Sequence, residues 1–195
     1  MRKILIGSML AAAVPMGVAA PESYTLDPHH TFVHFGVDHN GFSTIWGRFD
    51  RSSGKFTFDR QAGSVVLEVI VETASVTTGD SARGNRPRSR DEHLRSPDFF
   101  NATEFPRMTY KSRNAKLNGD VPVEIQGELT LLGVTRPVTL TVDRWKCAPH
   151  PVTRRPICGG NAIGGLKRSE FGMKWGIPAT GDDVMIRVTF EALKD

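Results

Sequence analysis

The sequence predicts an all-β protein, an antiparallel barrel of about eight strands with a short helical insert near residues 88–100. Three observations predict it. Residues Tyr24 to Phe49 alternate apolar and polar side chains on either side of a short turn at His39-Asn40-Gly41, so each strand turns one face to a core. Alternating runs then recur at short spacing to the end of the chain, a number that suits a closed barrel better than a small open sheet. One stretch, Ser75 to Phe100, interrupts the pattern; it is polar, rich in Arg and punctuated by Gly79, Gly84, Pro87 and Pro97.

The opening hairpin is expected at His30–Asp38 and Ser43–Phe49. Gly54–Asp59 follows as a short strand with Phe56 and Phe58 on one face. Ser64–Glu72 sets Val65, Leu67, Val69 and Val71 against Val66, Glu68, Ile70 and Glu72. Within the interrupting stretch, Ser89 to Arg95 reads as a short helix, with Ser89 as cap and Glu92 three residues on. Pro97 ends it, and a second helical turn is expected at Asp98-Phe99-Phe100. Pro106–Ser112 resumes the strands with Met108 and Tyr110 on one face. Val123–Leu132 and Val138–Trp145 flank a turn at Gly133-Val134-Thr135-Arg136-Pro137, and Ala162–Ser169 and Val184–Leu193 complete the set. Gly159-Gly160 and Gly164-Gly165 lack the Lys and Ser or Thr of a phosphate loop and read as turns.

Arg2 and Lys3, the apolar run Ile4 to Val14 and the small-residue exit Val18-Ala19-Ala20 read as a secretory signal peptide over residues 1–20. Residues 21–195 then form one exported domain. Lys and Arg number 25 and Asp and Glu 21; without Arg2 and Lys3 the net charge falls from +4 to +2. That is too small to argue for nucleic acid and leaves only a weak, transient attraction to an anionic membrane surface. Cys147 and Cys158, the only cysteines, read as a disulfide in an exported chain, worth roughly 3 kcal/mol by loop entropy. A zinc site there would have only His150 nearby and would lack a fourth ligand.

The inward wall is drawn from alternate positions. On it fall Val33, Phe35, Val37, Ile45 and Phe49 of the hairpin, then Val65, Leu67, Val69 and Val71. Leu129, Leu131, Leu140, Val142, Val184, Ile186 and Val188 extend it. Pattern alone leaves open whether this wall closes on a dry core or lines a cavity. His29, His30, His34 and His39 do not converge, because strand parity sets His34 opposite His39, and no metal site is expected. Asp91 and His93, at i and i+2 of a helix, do not face each other. His39 and Ser43 share a face but come with no Gly-x-Ser-x-Gly elbow, so no catalytic residue is assigned. Arg83, Arg86, Arg88, Arg90 and Arg95 read as a solvated loop partly balanced by Asp80, Asp91, Glu92 and Asp98, with docking to anionic lipid head groups as the rival reading.

Short motifs in order carry a resemblance. They are Tyr24-Thr25-Leu26-Asp27-Pro28-His29-His30-Thr31 and the hairpin positions Val33, Phe35, Val37, His39, Gly41, Ser43, Gly47 and Phe49. Arg90-Asp91-Glu92-His93-Leu94-Arg95-Ser96-Pro97-Asp98-Phe99-Phe100, with Phe105-Pro106, comes next. Gly127-Glu128-Leu129-Thr130-Leu131-Leu132-Gly133-Val134-Thr135-Arg136-Pro137-Val138, then Arg168-Ser169-Glu170-Phe171-Gly172 and Asp183-Val184-Met185-Ile186, complete the order. With these the chain resembles the YceI-like family of exported lipid- and polyisoprenoid-binding proteins. The resemblance implies an extended lipocalin-like barrel in the periplasm and an elongated apolar pocket for a long-chain isoprenoid lipid, isoprenoid quinones among them. It also implies frequent homodimers and no catalytic motif; beyond the lipid itself no cofactor is expected.

On this reading the pocket wall comprises Val33, Phe35, Val37, Ile45, Phe49, Val65, Leu67, Val69, Met108, Tyr110, Leu129, Leu131, Leu140 and Ile186. The head group needs a few polar groups at the mouth, for which His39, Asn40 and Ser43 of the hairpin turn and Arg90, Asp91 and His93 of the insert are the candidates. Two rival readings use the same barrel: an enzyme acting on a lipid, and a ligand-free structural protein with a filled core.

Overall fold

Period-two alternation becomes strand pairing along the whole chain. The computed structural model describes residues 20–195; the expected signal peptide falls, but for Ala20, outside them. The strands are β1 (Glu22–Leu26), β2 (Phe32–His39), β3 (Ser43–Phe49), β4 (Ser52–Asp59), β5 (Ser64–Glu72), β6 (Val76–Thr77), β7 (Arg107–Asn118), β8 (Val121–Leu131), β9 (Val134–Pro149), β10 (Pro156–Lys167) and β11 (Thr180–Lys194), with one helix, α1 (Arg90–Arg95). All lie in one 11-stranded sheet, and β11 pairs back onto β1 to close the ring β1-β4-β5-β7-β8-β9-β10-β11, a barrel of eight strands. Closure leaves those strands without a free edge.

Three staves of this barrel are interrupted. One edge of β11 holds two partners, β2 along Thr180–Thr189 and β1 along Ala192–Lys194. The β2–β3 hairpin therefore continues the wall beyond β1 and β4, and β6 continues β5 after a single 3₁₀ turn at Thr73–Ser75. The sequence reading does not anticipate β1 or β6. The first is five residues long and the second two, too short for alternation to declare them. Elsewhere β3 and β5 have their expected bounds, whereas β7, β9 and β10 run several residues further.

Three local expectations are corrected. The turn expected over residues 133–137 is the tight pair Leu132-Gly133, both at positive φ (52° and 73°), and Val134–Pro137 already belong to β9. Gly159-Gly160 and Gly164-Gly165 are not turns but positions within β10. At Gly160 a Cβ would lie 2.3 Å from the Arg144 carbonyl oxygen, so glycine there admits a close backbone approach. Asp98-Phe99-Phe100 is a turn rather than more helix; the Phe100 amide reaches back to the Leu94 carbonyl and Phe99 to Ser96.

The insert does the work of a missing strand. Beyond β3, the outer edge of β6 meets α1 instead of another β-segment. Asp91 and Arg95, one helical turn apart, face that edge. Asp91 accepts from the Thr78 amide (2.8 Å), Thr78 Oγ1 (2.7 Å) and Thr77 Oγ1 (3.0 Å), and Arg95 donates to the carbonyls of Ala74 and Val76. The helix starts with the expected capping box: the Glu92 amide donates to Ser89 Oγ, and the Ser89 amide to the Glu92 carboxylate. Phe99 and Phe100 then enter the barrel, where Phe100 packs on Phe35 and Phe49 at 6.3 and 5.1 Å between ring centres.

The opposite end is closed by side chains alone. Tyr24 stacks on Phe56 at 4.8 Å, and Trp145 lies against Phe56, Phe58 and Phe190 at 5.6–5.8 Å. The disulfide Cys147–Cys158 ties β9 to β10 beside this cluster, the two residues sitting directly opposite in register.

Candidate ligand cavity

Between these two ends the barrel is hollow. A continuous cavity of ≈ 550 Å³ runs from Trp145, Phe56 and Phe190 to the insert and the β10–β11 connection. That lies within the about 300–1,000 Å³ usual for small-molecule sites. The fourteen positions named for the pocket wall line it, Val33, Phe35, Val37, Ile45, Phe49, Val65, Leu67, Val69, Met108, Tyr110, Leu129, Leu131, Leu140 and Ile186; of the other inward positions Val71, Val184 and Val188 do too, and Val142, next to the bulge at Asp143, does not. Several of these, such as Val33, Leu67, Val69, Leu129 and Ile186, are only half-buried although they face inward, because part of each looks onto the cavity. Tyr110 is the one hydroxyl-bearing residue among these fourteen. Its hydroxyl lies 2.9 Å from the Val138 carbonyl oxygen and 3.2 Å from that of Ile125, and burial pushes the phenol well above its ordinary pKa. It stays a neutral donor.

Residues 24–192 match the description of the YceI-like domain. The chain belongs to the YceI-like domain family. It is 33% identical over 198 residues to Protein YceI of Shigella flexneri, covering 100% of this chain and 99% of that protein. Among solved structures, this YceI-like barrel is similar to the YCEI protein of Campylobacter jejuni, with a TM-score of 0.65, 25% identity, and 81% and 90% of the two chains covered. Burkholderia cenocepacia BcnA shares the fold at a TM-score of 0.64 and 20% identity over 85% of this chain and 98% of that one. So does a polyisoprenoid binding domain from Saccharophagus degradans, at 0.63 and 18% identity over 88% and 98%.

The polar residues named for the mouth divide. His39, Arg90 and His93 border the YceI-like cavity. Asn40 and Ser43 do not: both are exposed, Ser43 as the first residue of β3 and Asn40 in the hairpin turn, where it takes a positive φ of 56° and its amide donates to the Ala179 carbonyl. Asp91 is turned the other way. It is 1% exposed and committed to Thr77 and Thr78. About 200° separates i from i+2 around a helix, so Asp91 and His93 cannot both face the cavity.

His93 shares the Asp98 carboxylate with Arg88, at 2.9 and 2.8 Å, and its ring packs on Phe99 and Trp175 at 4.9 and 4.4 Å. Arg88, then His93, hold the Asp98 carboxyl below its ordinary pKa. The other arginines of the insert are also tied down, Arg83 to Glu92, Arg86 and Arg90 to Asp80. The basic run is therefore balanced within the YceI-like insert.

Several lining residues escape the sequence reading. Ile125 and Phe190 sit on the parity of named neighbours and needed only a longer run of alternation. Trp145 could not be found that way, since a bulge in the β9–β10 ladder at Asp143 reverses inside and outside along β9. Arg168 continues the inward parity of Ala162 and Leu166, and a charge at that place in a barrel was the available signal.

Proposed function

We propose that the chain is an exported, periplasmic carrier that binds and sequesters a long-chain isoprenoid lipid, isoprenoid quinones being within that class. The tail lies in the barrel cavity and the head group at the insert end. The carrying observation is the continuous apolar cavity of ≈ 550 Å³, closed by aromatic side chains at one end and bordered by polar groups at the other. The description of the Saccharophagus degradans domain as polyisoprenoid binding supports the same ligand class.

Physics limits what such a site can do. Burying a methylene is worth about 0.8 kcal/mol relative to water, but a tail leaving a bilayer is already out of water. Transfer is then nearly neutral for the tail, and ordering it costs free energy. Selection falls on cavity shape and on the head group. The protein acts by binding rather than catalysis, which fits His39 and Ser43 lying exposed at the paired ends of β2 and β3 and Asp91 facing away from His93.

Organic extraction of the purified, exported protein followed by mass spectrometry tests this. About one long-chain lipid per chain is expected. An empty extract, together with no uptake of added isoprenoid, would remove the reading. Recovery of a chemically altered lipid would favour an enzyme.

A further inference from the structure

The charged side chains that border the cavity are all of one sign. They are Arg86, Arg88, Arg90 and Arg168 at the insert end, with the imidazoles of His34, His39 and His93 also on the border, and, beside Phe56, Lys55, which pairs with Asp195; no Asp or Glu borders the cavity anywhere among the described residues. Arg86, Arg88 and Arg90 have carboxylates of Asp80 and Asp98 beside them. Arg168 has none. It is 3% exposed, and its guanidinium donates to four carbonyl oxygens, those of Gly181 (2.8 Å), Thr180 (2.8 Å), Trp175 (3.0 Å) and Met173 (3.2 Å). Carbonyl dipoles satisfy N–H bonds without cancelling the charge, and a guanidinium has five N–H groups, so one on Nη2 is left over. Asp182, the carboxylate whose charge reaches Arg168, makes no ion pair with it and is engaged by the Ser169 amide and hydroxyl.

Arg168 and the Arg88–His93 pair stand around the same aromatic group. The Arg168 guanidinium lies 5.8 Å from the centre of Phe99, and His93 packs on both Phe99 and Trp175. A cation held in an apolar cavity without a directly paired carboxylate has a field little screened by water. We infer that the ligand carries an anionic head group, a carboxylate or a phosphate, seated at the insert end beside Arg168, Arg88 and His93, with its tail running down the barrel toward Trp145. This rests on the lipid-carrier reading and narrows it, placing acid-headed lipids above neutral ones such as alcohols and quinones. Burial lowers the Arg168 pKa from its ordinary value, the direction a neighbouring anion reverses.

The test uses three tails of equal length on the delipidated full barrel. Geranylgeraniol, geranylgeranoic acid and geranylgeranyl phosphate are each titrated against a bound fluorescent fatty-chain probe near neutral pH. Both acids are expected to compete at least tenfold better than the alcohol. A stronger phosphate than carboxylate identifies an isoprenoid phosphate, and the reverse order a fatty-acid-like ligand. Arg168→Gln should bring the acids to within about threefold of the alcohol. Because Arg168 also gathers four carbonyls, Arg88→Gln is measured beside it, with a several-fold loss of acid preference expected and folding of each checked by thermal melting. Equal competition by all three lipids in the unaltered protein overturns the anionic head group and leaves the carrier standing. Failure of all three to displace the probe removes the carrier reading, and this inference with it.

Discussion

At Asp91 one buried carboxylate accepts from Thr77 Oγ1, Thr78 Oγ1 and the Thr78 amide. Removing it would strand those donors at the contact between α1 and the β6 edge, and an unsatisfied buried donor costs about 1–3 kcal/mol. Asp91→Ala is therefore expected to lower stability by about 3 kcal/mol and Asp91→Asn by less, read as shifts of the urea midpoint. Loss of exchange protection at the Thr78 amide would accompany both. A neutral Asp91→Ala would return the residue to the mouth. Its neighbour His93, two residues on, has the opposite surroundings, an aromatic pair and the Arg88–Asp98 ion pair. The sequence placed both at the mouth because residue type marks them as polar. Only the helix's orientation against β6 says which one faces the cavity.

The insert is the element most exposed to pH. Arg83, then the Ser89 amide, hold the Glu92 carboxyl down to about 2 from an ordinary 4.5. Arg86 lowers Asp80 and Arg88 lowers Asp98 in the same direction. A depressed carboxylate contributes stability that is fully present above its unfolded pKa and is lost as pH falls through the folded one. Hydrogen exchange at the amides of residues 89–95, corrected for intrinsic rates, should keep its protection down to about pH 4.5 and lose it toward about pH 2. Glu92→Gln should flatten that dependence; an unchanged profile would mean the capping box does not hold the helix. Ser89 and Glu92 were legible in the sequence because a capping box is a local signal. What α1 covers was not, since the β6 edge beneath it is two residues long.

At the scale of the whole molecule, the cavity exists because two aromatic clusters close the barrel from opposite ends and leave the middle open. A larger side chain on its lining should occupy the ligand's place without straining the wall. Leu129→Trp is expected to change stability by less than the about 1–3 kcal/mol typical of an overpacked core while lowering the extracted lipid to a small fraction of the unaltered protein's. Chemical denaturation and quantitative extraction read the two effects separately. Lipid recovered at the unaltered ratio from Leu129→Trp would place the ligand elsewhere.

By itself the sequence determined the strand faces, the helix cap, the Cys147–Cys158 pair and the apolar identity of the inner wall. Each of these is written in neighbouring residues, as a period of two, an i to i+3 pair, or an even cysteine count. Tertiary structure alone decided that the wall encloses space, that the bulge at Asp143 turns Trp145 inward, and that Arg168 borders the cavity hydrogen-bonded to carbonyls and to no carboxylate. Periodicity tells which side of a strand is apolar. How much volume those sides enclose depends on stagger, bulges and what plugs each end, and these are settled between residues far apart in the chain.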